Sequence, residues 1–246
     1  MKLIYAIVAI TAGLGVAGCS AGRSGTAGKW QSLFNGENLE GWTVKCKPGD
    51  AAGRPYFTVE NGTILADSIG RKDHDYVWLA TAREYGDFSL RLRFQAYRDS
   101  PGNSGVQIRS RYDEAAGWMD GPQVDVNPPG PWRCGMIWDE TRGVQHWLWP
   151  NLPVGQAAGE AQAPKGWKFQ HHDQGDGWNT LEITAIGMRV RTAMNGVAVA
   201  DYDGAGVLDD AVHREHQVGE RGVIALQVHK DDEIRLRFAD LEIQER

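Results

Sequence analysis

Cysteine is scarce in this chain, with only three in 246 residues, which excludes a small scaffold held by a dense disulfide framework. No CxxC or HxxxH spacing is present, so the usual sequence marks of a zinc centre are missing. A GxSxG nucleophile elbow is also lacking, which argues against a serine hydrolase of that type. Basic residues form no run and the formal charge is −6, a balance that fits no nucleic-acid partner. Beyond the first nineteen residues no apolar stretch approaches the length of a membrane span. Amphipathic helical periodicity and fixed-period repeats are absent as well.

What is there begins with a secretory layout. Lys2 precedes an apolar run from Leu3 to Val16 that ends in Val16-Ala17-Gly18-Cys19. The tetrapeptide resembles the lipobox of bacterial lipoproteins, which implies a signal peptide over 1–18, a lipidated Cys19 and a mature chain that starts there. Ser20 rather than Asp follows, which by that resemblance directs the protein to the outer membrane, facing the periplasm or the surface. Residues 19–29 carry small and polar side chains and read as a flexible tether, so the lipid would be the sole membrane anchor. Cys46 and Cys134 remain, and in an oxidising compartment their pairing is the expectation, although sequence does not place their Cα atoms.

Residues 30–246 read as one domain, long enough to bury a full core. About a dozen short strands are separated by turn signals, including the Asn-Gly pairs at 35–36, 61–62 and 195–196. In 88–97, Phe88, Leu90, Leu92 and Phe94 share one face and Arg91, Arg93 and Gln95 the other. The pattern predicts an all-β antiparallel sandwich or jelly roll. The 150–178 segment reads as a long irregular loop, and 203–221 as a polar loop with room for a helical turn.

Residues 102–127 organise the rest. Val106 and Ile108 alternate with Gln107, Arg109 and Arg111, then Val124 and Val126 alternate with Gln123, Asp125 and Asn127. One face is therefore aliphatic, and the other carries amides and charges suited to fixed hydrogen bonds. That polar face is either the floor of a cleft or an ordinary wet sheet face. Ten tryptophans favour a carbohydrate partner, since indole faces pack under sugar rings.

The segments WQSLFNGENLEGW, YGDFSLRLRF, GNSGVQIRSR, GWNTLEI, the Asn195-Gly196 hairpin, GVIALQVH and IRLRFADLEI occur in one order. In that order they resemble the 3-keto-disaccharide hydrolase family, also described as 3-keto-glucoside 1,2-lyases and 3-keto-2-hydroxy-glucal hydratases. The resemblance implies a concanavalin A-like jelly roll over nearly all of 30–244. It also implies cleavage of a 3-keto glucoside or disaccharide by proton abstraction at C2 and β-elimination, with hydration of the glycal afterwards. A separate sugar 3-oxidoreductase would supply the ketone.

Residues implied by the match are Asn103, Arg109, Gln123, Asp125, Gln227 and His229. The family's inner strand commonly reads Glu then Gln, where this chain has Gln123 and then Asp125. Arg109 would hold the enediolate or keto oxygen, or else pair with Asp125. Asp125 or His229 would be the base. Gln107, His146, Trp118, Trp132 and Trp147 are further candidates for substrate contact. His171-His172-Asp173 could ligate a metal, and a hard cation such as Ca or Mg held by carboxylates would leave no motif. The other reading is a sugar-binding module without catalysis, with Trp118, Trp132 and Trp147 stacking on rings.

Overall fold

The computed structural model describes residues 28–152 and 164–246. The expected signal peptide, Cys19 and the tether through residue 27 lie outside the described residues. The chain forms strands β1 (Gln31–Ser32), β2 (Trp42–Lys45), β3 (Phe57–Glu60), β4 (Thr63–Asp67), β5 (Val77–Thr81) and β6 (Phe88–Ala96). Next come β7 (Ser104–Asp113), β8 (Trp118–Asp120), β9 (Pro122–Val126), β10 (Ile137–Asp139) and β11 (His146–Trp149). After these follow β12 (Asn179–Ile186), β13 (Arg189–Met194), β14 (Val197–Asp203), helix α1 (Ala211–His216), β15 (Val223–Val228) and β16 (Arg235–Glu245).

Two antiparallel sheets result. The first has the order β14-β13-β12-β6-β16-β4-β3, with β1 also on β16. The second has the order β11-β10-β9-β7-β15-β5-β2, with β8 folded back onto β7. This is an all-β two-sheet antiparallel sandwich. Phe88, Leu90, Leu92 and Phe94 of β6 are all buried between the sheets, facing Val106, Ile108, Val124 and Val126. Burial of each such side chain contributes roughly 1.5–3 kcal/mol. Arg91 and Arg93 point outward to Glu242 and Asp240, as the period of two requires.

The Asn61-Gly62 and Asn195-Gly196 pairs have positive φ at both residues and close the β3–β4 and β13–β14 hairpins. Asn35-Gly36 departs from that expectation. The Asn35 carboxamide caps the N–H groups of Glu37 and Asn38, and the turn carries the chain from one sheet to the other.

The expected Cys46–Cys134 disulfide is corrected, since both thiols are free. Cys46 follows β2 at one edge of its sheet, whereas Cys134 follows β9, four strands away in the sheet order. At the spacing of neighbouring strands that is roughly 19 Å, well beyond the reach of a disulfide.

Candidate functional site

The site grows from the face of β7, β9 and β15 that points away from the sandwich core. Gly105 pairs with Asp125 and Gln107 with Gln123, and Ala225 of β15 lies opposite Gln107. These residues therefore share one side of the sheet, as their alternation predicts. The face is not wet. Gln107, Gln123, Asp125 and Gln227 are all buried. Trp118 and Met119 of β8 fold over part of it, packing with Trp78, Ala80 and Ala225 into a second small core. Gly105 permits a close approach, because a Cβ there would stand 2.2 Å from the Gln123 side chain.

A cleft of about 540 Å³ opens beside that cover. Its floor presents Asn103, Gln123 and Asp125, and its walls carry Tyr76, Trp118, Trp138, Trp147 and His229. Arg133, Glu140 and Gln145 complete it. Arg133 lies at the end of a short 3-10 turn, Pro131–Arg133, and spans the Trp147 ring at 4.9 Å. The Trp118 indole donates to the Glu140 backbone carbonyl at 2.8 Å, fixing the segment that carries this carboxyl.

Two buried carboxyls meet here. Burial pushes Asp125 up to about 6, against the pull of Arg133, His229 and Asn103. Burial likewise pushes Glu140 up to about 7, against the Trp138 indole, His229 and Gln227, with the Asp125 charge adding to the rise. Arg133 Nε stands 2.9 Å from Asp125 Oδ2, an ion pair whose angle is poor for a hydrogen bond. Burial pulls His229 down, but Asp232, the Lys230 carbonyl and Glu140 outweigh it and leave the imidazole raised. His229 Nδ1 lies 3.0 Å from Lys230 O and 3.2 Å from Asp232 Oδ2, two acceptors that require a proton on that nitrogen.

Among the sequence candidates, Asn103, Trp118, Gln123, Asp125, Trp147 and His229 meet in the cleft. Gln107 lies beneath it, bonded to Gln123 and Ser110. Gln227 is fully buried in the floor, close enough to Glu140 to affect its ionisation. Trp132 lines a neighbouring hollow of about 470 Å³ that shares Asn103, Arg133 and His229 with the cleft. His146 precedes Trp147 on β11, so the two point to opposite faces, and His146 does not line the cleft.

Arg109 requires correction. Its φ of 49° breaks the period of two, at a bulge between β7 and β15. The guanidinium consequently leaves the polar face and donates to the carbonyls of Gly86, Gly187 and Gly219 and to the Asp87 carboxylate. It pairs with neither the cleft nor Asp125. His172 stacks on Tyr97, and Asp173 pairs with Arg98, which gives that loop a structural part. Among the described residues no group of three or more His, Cys, Asp or Glu side chains is placed to hold a metal ion.

Sequence reasoning missed Tyr76, Arg133, Trp138, Glu140 and Gln145. Arg133 follows a proline-rich loop and Glu140 comes just after a three-residue strand, so neither has a neighbouring alternation to mark its face.

The family described as the 3-keto-alpha-glucoside-1,2-lyase-like domain matches residues 29–244. The chain belongs to this family. No curated protein matches it. Two solved structures, both candidate glycosyl hydrolases from Parabacteroides distasonis, share the fold of this lyase-like domain. One is 13% identical with a TM-score of 0.55, covering 88% of this chain and 94% of that one. The other is 18% identical with a TM-score of 0.50, covering 89% and 100%.

Proposed function

We propose that the domain cleaves 3-keto glucosides by β-elimination. The observation that carries this reading is the pair of buried carboxyls, Asp125 and Glu140, raised by burial to about 6 and about 7 with Arg133 and His229 beside them. A module that only binds sugar has use for the indoles of Trp118, Trp138 and Trp147. It has no use for two carboxyls held out of water at a cost.

In a 3-keto glucoside the hydrogen on C2 is acidified by the ketone, and the anomeric oxygen is a β leaving group. Asp125, which lines the cleft and is raised by burial to about 6, is the base that removes this hydrogen. The electron pair passes to the C3 oxygen, and the enediolate that forms is stabilised by the positive charges of Arg133 and His229. Collapse forms the C1–C2 double bond and breaks the C1–oxygen bond, and Glu140 in its protonated form supplies the proton to the departing oxygen. The three indoles supply flat faces for the ring. The substrate must come from a reaction that oxidises the C3 hydroxyl of a glucoside. Hydration of the resulting glycal would complete a net hydrolysis.

The test is release of 4-nitrophenol from its 3-keto glucoside, with the unoxidised glucoside beside it and each run with and without chelator. Release from the keto form alone, abolished in Asp125→Asn, supports elimination. Tight binding without release returns the domain to a sugar-binding module.

A further inference from the structure

Tyr76 has no part in the acid–base pair, yet its phenol ring is packed by three other rings in the cleft wall. Its ring stacks on Trp78 at 5.5 Å with planes 14° apart. The ring edges of Trp118 and His229 close it in at 4.9 and 4.8 Å. The phenol oxygen therefore has a fixed position, 3.1 Å from His229 Nε2.

His229 is fixed from behind. Asp232 Oδ2 lies beside its Nδ1 and also accepts the Asn103 backbone N–H at 2.8 Å. The Asp232 carbonyl is in turn held by Ser68 Oγ at 2.8 Å. With Nδ1 committed to a proton, Nε2 has two states. In the neutral imidazole it accepts the phenol proton. In the imidazolium it donates to the phenol oxygen, and the phenol proton must then find another acceptor. The open direction is the cleft, which Tyr76 lines. Burial keeps the phenol protonated, reinforced by the charges of Glu140 and Asp75.

We propose that Tyr76 is a catalytic residue of the elimination, donating its hydroxyl hydrogen bond to the C3 oxygen as that oxygen gains negative charge, with the His229–Asp232 pair behind it. This rests on the elimination reading above. No proton leaves Tyr76 in the step. The electron pair from the C2–H bond moves onto the C3 oxygen and returns to form the C1–C2 double bond as the leaving group departs. Asp125 holds the abstracted proton. The arrangement delivers the positive charge of His229 through a neutral donor, which needs no reorganisation when the oxyanion forms.

The test uses 3-keto-1,5-anhydroglucitol, which has the acidic C2 hydrogen but no leaving group. Its C2–H exchange in deuterated water is followed by NMR beside 4-nitrophenol release. Tyr76→Phe retains the ring and its packing. It is expected to lower both exchange and release by roughly 10²–10³-fold, the loss typical of one oxyanion donor, with little change in KM. His229→Gln, which keeps a polar partner for the phenol but removes the charge, is expected to lower exchange by a smaller factor. Wild-type exchange in Tyr76→Phe with slowed release would overturn the proposal by assigning the phenol to the leaving oxygen. Unaltered exchange and release would overturn it outright while leaving the elimination standing. A wild-type protein that neither exchanges nor releases would overturn both together.

Discussion

Arg133 Nε stands 2.9 Å from Asp125 Oδ2, and the carboxyl is almost wholly buried whereas the guanidinium is partly open to solvent. The arginine pulls the carboxyl down against the upward push of burial, and it is oriented by the Trp147 ring beneath it. Arg133→Met keeps the apolar contact and removes the charge. kcat/KM for a 3-keto glucoside is expected to fall roughly 10²–10³-fold, and the acidic limb of the pH profile to move upward. An unshifted limb would separate Arg133 from the ionisation of Asp125.

The two carboxyls make a narrow pH window. In the proposed elimination Asp125 acts ionised and Glu140 protonated, so the rate should rise through about 6 and fall through about 7. Because each charge acts on the other, the observed limbs belong to the pair. Glu140→Gln should remove the alkaline limb and slow release of poor leaving groups most, since their oxygen needs the proton. A profile flat from pH 5 to 9 would sink this assignment.

Glu140 should also weaken the fold at alkaline pH. Its folded pKa is raised, so the native state holds a proton that the unfolded chain releases at lower pH. Stability is therefore full below the ordinary glutamate range and declines as pH rises through about 7. Glu140→Gln should match the wild type near pH 4 and exceed it at pH 8 by on the order of 3 kcal/mol. Urea denaturation at the two pH values reads the difference.

Arg109 should be a stability residue. From β7 it ties together the β5–β6 connection at Gly86 and Asp87, the β12–β13 turn at Gly187 and the loop after α1 at Gly219. Arg109→Met leaves the buried Gly219 carbonyl without its donor and frees three partly exposed acceptors to water, and is expected to cost on the order of 1–3 kcal/mol. The folded fraction should retain its kcat. A variant that melts like the wild type but has lost activity would contradict this.

Much of the architecture was legible because strand faces follow a period of two. Phe88 through Phe94 and Val106 through Val126 fell on the core side as their spacing required. Gln123 and Asp125 reached the cleft floor for the same reason, and His229 continues the strand that carries Gln227. Arg109 followed the same arithmetic and failed, because one left-handed residue at a bulge turns the side chain aside and leaves no local mark in the sequence. Glu140 and Arg133 escaped notice for a different reason. They come from the residue after a short strand and from a turn, where tertiary contacts alone decide which way a side chain points. The covering of the polar face by β8 was equally hidden, since three residues carry it.

That cover has a further consequence. Met119 is fully buried against Trp78 and Ala225, so β8 stops the trough of the sheet partway along. A long polysaccharide lying through the trough would run into this wall, while a short glycoside or a chain end could enter head first. In the proposed reaction, β8 would thus act as an end stop that favours short substrates over long chains.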